Sequence, residues 1–167
     1  LGEGAGMLVI ERESHARQRG ASILAELAGY GSTDDAFHIT QPSEGGTGAL
    51  RAMERAINDA SLNLNEIDYI NAHGTSTPYN DKNESAAIKA LFRDHCNNLK
   101  VSSTKSMTGH LLGAAGGIEA VASVKSILEQ TLPPTINYDT PDPECNLDYV
   151  PNFAQSCDID AILSNTF

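Results

Sequence analysis

The sequence contains no tryptophan, and phenylalanine and tyrosine bring aromatic residues to only 5% of its 167 positions. That leaves little material for a large aromatic binding platform. Basic residues are also scarce: eleven Lys and Arg stand against twenty-two Asp and Glu, for a formal net charge of -11. Phosphate binding needs a basic face, so this balance argues against nucleic acid as a partner. No apolar run approaches the roughly 18–20 residues of a helical membrane span. The three cysteines, Cys96, Cys145 and Cys157, are odd in number, widely spaced and free of any CxxC pairing. They support neither a disulfide framework nor a zinc knuckle, and a reducing compartment is the simplest reading. The first residues, Leu1-Gly2-Glu3-Gly4-Ala5-Gly6, include no initiator Met and no signal-like or transit-like segment. The last, Leu163-Ser164-Asn165-Thr166-Phe167, follow an apolar, strand-like run directly. Both ends read as cut.

What is present is a globular composition. Hydrophobic residues make up 40% of the chain, enough to bury a core of one domain or slightly more. Met7–Ile10 and Ala21–Tyr30 read as strands, separated by a polar helical turn over Ser14–Arg19 that stops at Gly20. Residues 31–44 form a loop rich in Ser, Thr, Asp and Pro. From Gly48 a helix is predicted, because Ala49, Leu50, Met53, Ala56, Ile57 and Ala60 share one face. Ile67–Ala72 and Leu99–Ser102 read as strands. Between them, Asp81–Asp94 reads as a helix with an Ala87, Ala90 and Leu91 stripe. Gly109–Gln130 is predicted as one long helix, apolar on nearly every side and therefore expected to lie between layers. Leu132–Glu144 is a Pro-punctuated loop, and Asp160–Leu163 a final strand. Strands alternating with helices imply α/β layers. After Lys125 the charged residues are all acidic, from Glu129 to Asp160, which reads as a solvated face.

Several motifs carry chemistry in principle. Gly2-x-Gly4-x-Gly6 and Glu44-Gly45-Gly46-Thr47-Gly48 resemble phosphate-cradling loops, but neither completes GxGxxG nor ends in GK[ST]. Tight backbone packing is the competing reading. The sequon Asn83-Glu84-Ser85 falls inside a predicted helix and reads as chance. His15, His38 and His95 lie in polar stretches and read as surface histidines. His73 and His110 differ. His73 ends an apolar strand and opens His73-Gly74-Thr75-Ser76-Thr77-Pro78; His110 is expected at the start of the long apolar helix, after Lys105-Ser106-Met107-Thr108-Gly109. Strand ends and helix starts are where α/β proteins place ligands and catalytic groups. A helix start would disfavour positive charge on His110 and keep its imidazole neutral, able to donate a hydrogen bond to a developing oxyanion. A satisfied core histidine is the alternative for either alone. Lys105 would need a counter-ion if buried, and Glu119 is the nearest attractive one in sequence.

The strings Asn71-Ala72-His73-Gly74-Thr75-Ser76-Thr77-Pro78 and Val101-Ser102-Ser103-Thr104-Lys105-Ser106-Met107-Thr108-Gly109-His110 resemble the β-ketoacyl-acyl carrier protein synthases of fatty acid elongation. Residues 1–7, Leu132-Pro133-Pro134-Thr135-Ile136-Asn137 and Leu163-Ser164-Asn165 also look like that family. HGTST and SMTGH favour the fatty acid type over modular polyketide ketosynthases, which usually read HGTGT and NIGH. The resemblance implies a thiolase-like α/β fold of two similar halves, each a mixed sheet flanked by helices, with one buried helix. Residues 1–12 would end the N-terminal half as a strand, and residues 13–167 would be the C-terminal domain, truncated at its C-terminus. By the same resemblance, His73 and His110 bind a malonyl thioester carbonyl and stabilise the enolate formed on decarboxylation. Lys105 and Glu119 support them, and Thr75 and Thr77 lie near the phosphopantetheine arm. The expected partner is acyl carrier protein, acyl- or malonyl-loaded, and the full-length enzyme would be a homodimer. No cofactor is expected beyond the phosphopantetheine that arrives on the carrier protein. None of the three cysteines sits in a Gly-rich nucleophile setting, so the acyl-accepting cysteine is expected outside this chain. The glycine-rich segment that follows Ser-Asn-x-Phe in the family is not in this sequence. Tyr79 stands where the family more often has an aliphatic residue. A polyketide-type ketosynthase and a catalytically inactive partner subunit are the alternatives.

Overall fold

A three-stranded parallel sheet, in the order β2-β1-β5, organises the computed structural model, which describes residues 1–39 and 41–167. Its central strand, β1 (Tyr69–Asn71), pairs with β2 (Lys100–Ser102) on one side and β5 (Ile162–Ser164) on the other. A strand in the middle of a covered parallel sheet is buried on both faces, and Tyr69, Ile70 and Asn71 are fully enclosed. The pleat divides their side chains. Ile70 and Val101 join one apolar cluster with residues of two helices, α2 (Thr47–Asp59) and α3 (Pro78–Phe92). Met53 and Ile57 come from α2, and Ala87, Ile88, Leu91 and Phe92 from α3. Tyr69 joins the other cluster, with Leu132, Val150 and Ile159. There its hydroxyl meets Ser102 Oγ at 2.7 Å. The helix α5 (Ala115–Glu129) packs against β5, and a short antiparallel pair, β3 (Thr131–Leu132) with β4 (Gln155–Ser156), follows it.

The α/β reading holds, and β1, β2, β5, α2 and α3 are found within a few residues of their expected bounds. Pro78 starts α3 earlier than expected, since the first helical position tolerates its missing N–H. On α3 it is Ile88, not Ala90, that completes the buried stripe; Ala90 faces solvent. The polar turn after residue 12 is the short helix α1 (Glu13–Gln18). The predicted loop over residues 31–44 includes Thr40, which lies outside the described residues.

Two expected strands do not form. Residues 7–10 and 21–30 are apolar but have no regular structure. A strand exists only where another backbone completes its hydrogen bonds, and among the described residues none does. Met7 and Val9 are consequently more than nine-tenths exposed. The glycines of Gly2-x-Gly4-x-Gly6 pack rather than bind phosphate. A Cβ on Gly2 would lie 2.3 Å from the Thr108 carbonyl oxygen, and one on Gly6 only 2.3 Å from the Gly117 carbonyl carbon.

The long apolar helix is also interrupted. The single turn α4 (Lys105–Thr108) ends at Gly109, whose φ of +74° reverses the backbone. A 3-10 turn at Leu112–Ala114 then leads into α5. Its buried residues are small or polar: Ala115, Glu119, Ser123 and Ser126. Val121 and Leu128 are partly exposed, while Ala120, Val124 and Ile127 line an open groove. Among the described residues no helix is long and apolar enough to cross a membrane.

Candidate active site

The ends of β1 and β2 lie side by side in the parallel sheet, so the loops leaving them are neighbours. The first carries His73 and the second Lys105 and His110. A tight turn follows His73 at Gly74, whose φ is +44° and where a Cβ would lie 2.5 Å from Ser103 Cβ. Ser103 Oγ donates to the Gly74 carbonyl at 2.8 Å, locking the two loops together. The imidazoles of His73 and His110 meet edge to face, with centroids 5.5 Å apart. The structure thus brings together two histidines 37 positions apart in sequence.

Hydrogen bonding sets the tautomers. The Phe167 backbone N–H donates to His73 Nδ1 at 3.3 Å, and the Leu112 N–H donates to His110 Nδ1 at 3.2 Å. A neutral imidazole whose Nδ1 accepts must carry its proton on Nε2. Burial, reinforced by the charges of Lys105 and His110, pushes the His73 pKa down to about 4. His73 is therefore neutral in the physiological range and offers an N–H without a positive charge. His110 is not at a helix start, because Gly109 closes α4 before it and α5 opens only at Ala115. Its Nδ1 acceptor bond, rather than a helix dipole, determines which nitrogen donates.

Lys105 and Glu119 form a buried ion pair between α4 and α5. The Thr166 hydroxyl reaches the second Glu119 oxygen at 3.4 Å, and Asn71 Nδ2 reaches the Glu119 carbonyl at 3.4 Å. Thr75 is half-buried and Thr77 exposed, with their hydroxyls 3.0 Å apart. Both threonines open on the groove that His73 and His110 share.

The sequence reasoning passed over Glu84. This residue on α3 is almost fully buried, and its carboxylate accepts from the His73 N–H at 2.8 Å and the Gly74 N–H at 2.9 Å. Asn165 Nδ2 and Asn80 Nδ2 add bonds at 3.0 and 3.3 Å. Burial pushes the Glu84 carboxyl pKa up, against the lowering effect of these donors. A signal was available: Glu84 lies three and four residues before Ala87 and Ile88, placing an acid on an apolar stripe, where acids are rare unless partnered. His95 also departs from the surface reading. It is half-buried, with Nε2 2.8 Å from the Ile67 carbonyl oxygen.

All three cysteines are free thiols away from this site. Burial pushes the pKa of Cys96 and Cys157 up, the opposite of what activates a thiolate nucleophile.

The loops at the ends of the parallel strands thus present two histidine Nε2–H groups beside a buried Lys–Glu pair, an arrangement able to donate hydrogen bonds to a developing oxyanion. The chain belongs to the β-ketoacyl synthase family, whose C-terminal domain model matches residues 24–139. It is 57% identical over 166 residues to the 3-oxoacyl-[acyl-carrier-protein] synthase 2 of Staphylococcus aureus, covering 99% of this chain and 41% of that protein. To the enzyme of the same name from Synechocystis it is 54% identical over 167 residues, covering 100% of this chain and 40% of the relative. The chain thus spans about two fifths of the length of these relatives. Among solved structures, a β-ketoacyl synthase from Burkholderia phymatum superposes with a TM-score of 0.88 at 40% identity, over 94% of this chain and 38% of that one. A type II PKS acyl-carrier protein in complex with its ketosynthase gives 0.90 at 47% identity, over 92% and 38%.

Proposed function

We propose that this chain is the C-terminal part of a decarboxylating condensing enzyme that joins malonyl-carrier protein to an acyl-enzyme, giving 3-oxoacyl-carrier protein. The observation that carries the reading is the pair of imidazoles whose Nδ1 atoms both accept backbone N–H groups, leaving two Nε2–H donors on touching rings. In this reading both donors bind the thioester carbonyl oxygen of the malonyl group. Breaking the bond to the carboxylate releases CO2 and sends its electron pair toward that oxygen, as an enolate. The enolate carbon then attacks the acyl thioester carbonyl of a cysteine outside this chain, and the cysteine thiolate leaves. Lys105 and Glu119 hold the His110 loop against α5. Thr75 and Thr77 contact the phosphopantetheine arm, which the carrier protein brings as part of the substrate. The full enzyme acts as a homodimer.

The test uses the full-length protein. His73→Ala and His110→Ala should each slow malonyl decarboxylation by about 10²–10³, the scale of one lost oxyanion donor, while acyl transfer to the cysteine is largely spared. Radiolabelled CO2 release and acyl-enzyme labelling measure the two steps separately. Wild-type decarboxylation in both variants would overturn the two-histidine reading.

A polyketide-type ketosynthase is the second reading, favoured by the likeness to a ketosynthase in complex with a type II PKS acyl-carrier protein. Products longer than one condensation, formed from malonyl-carrier protein without keto reduction, would select it.

A further inference from the structure

The proline-containing segment 132–137 supplies no group to the two-histidine site, yet it is bonded at three points to the stretch that carries Lys105. Pro133 and Pro134 have no N–H, so this segment cannot prolong β3 as a regular ladder. Its other polar groups bond elsewhere. Ser102 Oγ donates to the Pro133 carbonyl at 2.6 Å, the Ser103 N–H to Thr135 Oγ1 at 3.1 Å, and the Ile136 N–H to Ser106 Oγ at 3.0 Å. Ser106 Oγ in turn donates to the Ser103 carbonyl at 2.9 Å. Thr135 is itself anchored: its N–H donates to the carbonyl of the fully buried Val150 at 3.0 Å, and its carbonyl accepts from the Asn152 N–H at 2.8 Å. Ser103 links this anchor to the other histidine. It is buried, and its Oγ donates to the carbonyl of Gly74, the residue after His73. The Gly74 N–H is held by Glu84. The turn after His73 is thus fixed at its carbonyl by a residue whose own N–H is held by Thr135.

We infer that Thr135 is a positioning residue that, through Ser103, sets the separation of the His73 and His110 loops. The inference rests on the condensing-enzyme reading of the site. Two N–H donors stabilise one oxygen only if both point at it, and a displacement of about 1 Å can cost about 10²-fold in rate. Without the Thr135 hydroxyl, the N–H of a buried residue loses the partner it has, which is costly. Ser103 then moves to recover one, carrying the Gly74 carbonyl and the His73 turn with it. Neither Thr135 nor Ser103 bonds an imidazole, so the effect falls on how the two donors converge during bond breaking. A loss of that kind lowers kcat and leaves KM in place.

The experiment uses the full-length enzyme and measures malonyl-carrier protein decarboxylation, acyl transfer to the cysteine and the denaturant midpoint. Thr135→Val removes the acceptor and keeps the branched shape. It should lower kcat for decarboxylation about tenfold, inside the range that such a displacement can reach. KM and acyl transfer should stay within about twofold of wild type. Thr135→Ser keeps the hydroxyl and should restore kcat to within about twofold. Ser103→Ala, which frees the Gly74 carbonyl, should lower kcat by a similar factor. The double variant combining Thr135→Val with Ser103→Ala should lose no more than the weaker single one, because a moved Ser103 no longer moves Gly74. Wild-type kcat in Ser103→Ala would overturn the inference, whether or not Thr135→Val folds. Multiplying losses in the double variant would overturn it too, as would no rescue by Thr135→Ser, a KM effect at unchanged kcat, or a lower midpoint with unchanged kcat. If the wild-type enzyme releases no CO2 from malonyl-carrier protein, it is the condensing-enzyme reading that fails.

Discussion

The Lys105–Glu119 pair shows how one residue's burial constrains another. Both side chains are almost completely withdrawn from water. A buried ion pair adds little net stability over an apolar pair, yet removing one partner strands the other. Glu119→Gln should therefore lower the stability of the full-length protein by about 3–5 kcal/mol, read as a shift in the denaturant midpoint. The Lys105 loop leads directly to His110, so the loss should be accompanied by slower decarboxylation. Unchanged melting and unchanged activity would make Lys105 an ordinary loop lysine. Glu84 is linked differently: it holds backbone N–H groups, so it shapes the His73 turn rather than balancing a charge.

At the scale of elements, α3 is the piece that joins the others. Its apolar face packs on β1 and α2, its first turn holds the His73 loop through Glu84, and Asn83 meets the turn that precedes α2. Gly45 and Gly46 form that turn, with φ of +77° and +64°. The Gly45 N–H donates to Asn83 Oδ1 at 3.0 Å. A Cβ on Gly45 would meet nothing within 4 Å, whereas one on Gly46 would lie 2.4 Å from the Asn83 carbonyl oxygen. The two positions separate backbone strain from collision. Gly45→Ala should cost about 1–2 kcal/mol, the left-handed penalty alone, and Gly46→Ala distinctly more, because the α2–α3 contact must also open. Chemical denaturation of the two variants compares them, and equal losses would refute the collision. The Glu44–Gly48 motif is thus explained by packing at Gly46, without phosphate.

On the whole-molecule scale, charge bears on how this chain meets a carrier protein. The carboxylates of the acidic stretch are mostly exposed, and three of them are paired, with Lys82, Lys100 and Lys125. Of the basic residues near the start, Arg12, Arg17 and Arg19, the last two are engaged with Glu13 and Glu11. Apart from the exposed Arg12, these two regions offer no unpaired positive charge among the described residues, and like charges slow encounter with a carrier protein that is acidic. The isolated 167-residue chain should therefore bind carrier protein weakly across a salt series, and it should form no 3-oxoacyl product from acyl- and malonyl-carrier protein, because none of its three cysteines sits in a Gly-rich nucleophile setting. Tight, salt-sensitive binding would place the docking charges on this chain. Product formation would place the nucleophile here.

How much of this was legible beforehand follows from the range of each interaction. Local sequence located β1, β2, α2, α3 and β5, because each carries its burial pattern in its own residues, and Pro78 and Gly109 mark real boundaries. His73 and His110 stood out by their expected places at a strand end and a helix start, and by the family resemblance that the HGTST and SMTGH motifs carry. Periodicity could not say that residues 7–10 and 21–30 would have no neighbouring strand, since a ladder is completed by a second backbone. Nor could it split the 109–130 run, where Gly109 at φ +74° and a 3-10 turn override a continuous apolar pattern. The tautomers of His73 and His110 were beyond it as well. They depend on the N–H groups of Phe167 and Leu112 and on the burial of His73 beside Lys105. Residue types and local order determined which groups could do chemistry; only the parallel register of β1 with β2 and β5 brought them within hydrogen-bonding reach, because those contacts join residues up to 94 positions apart.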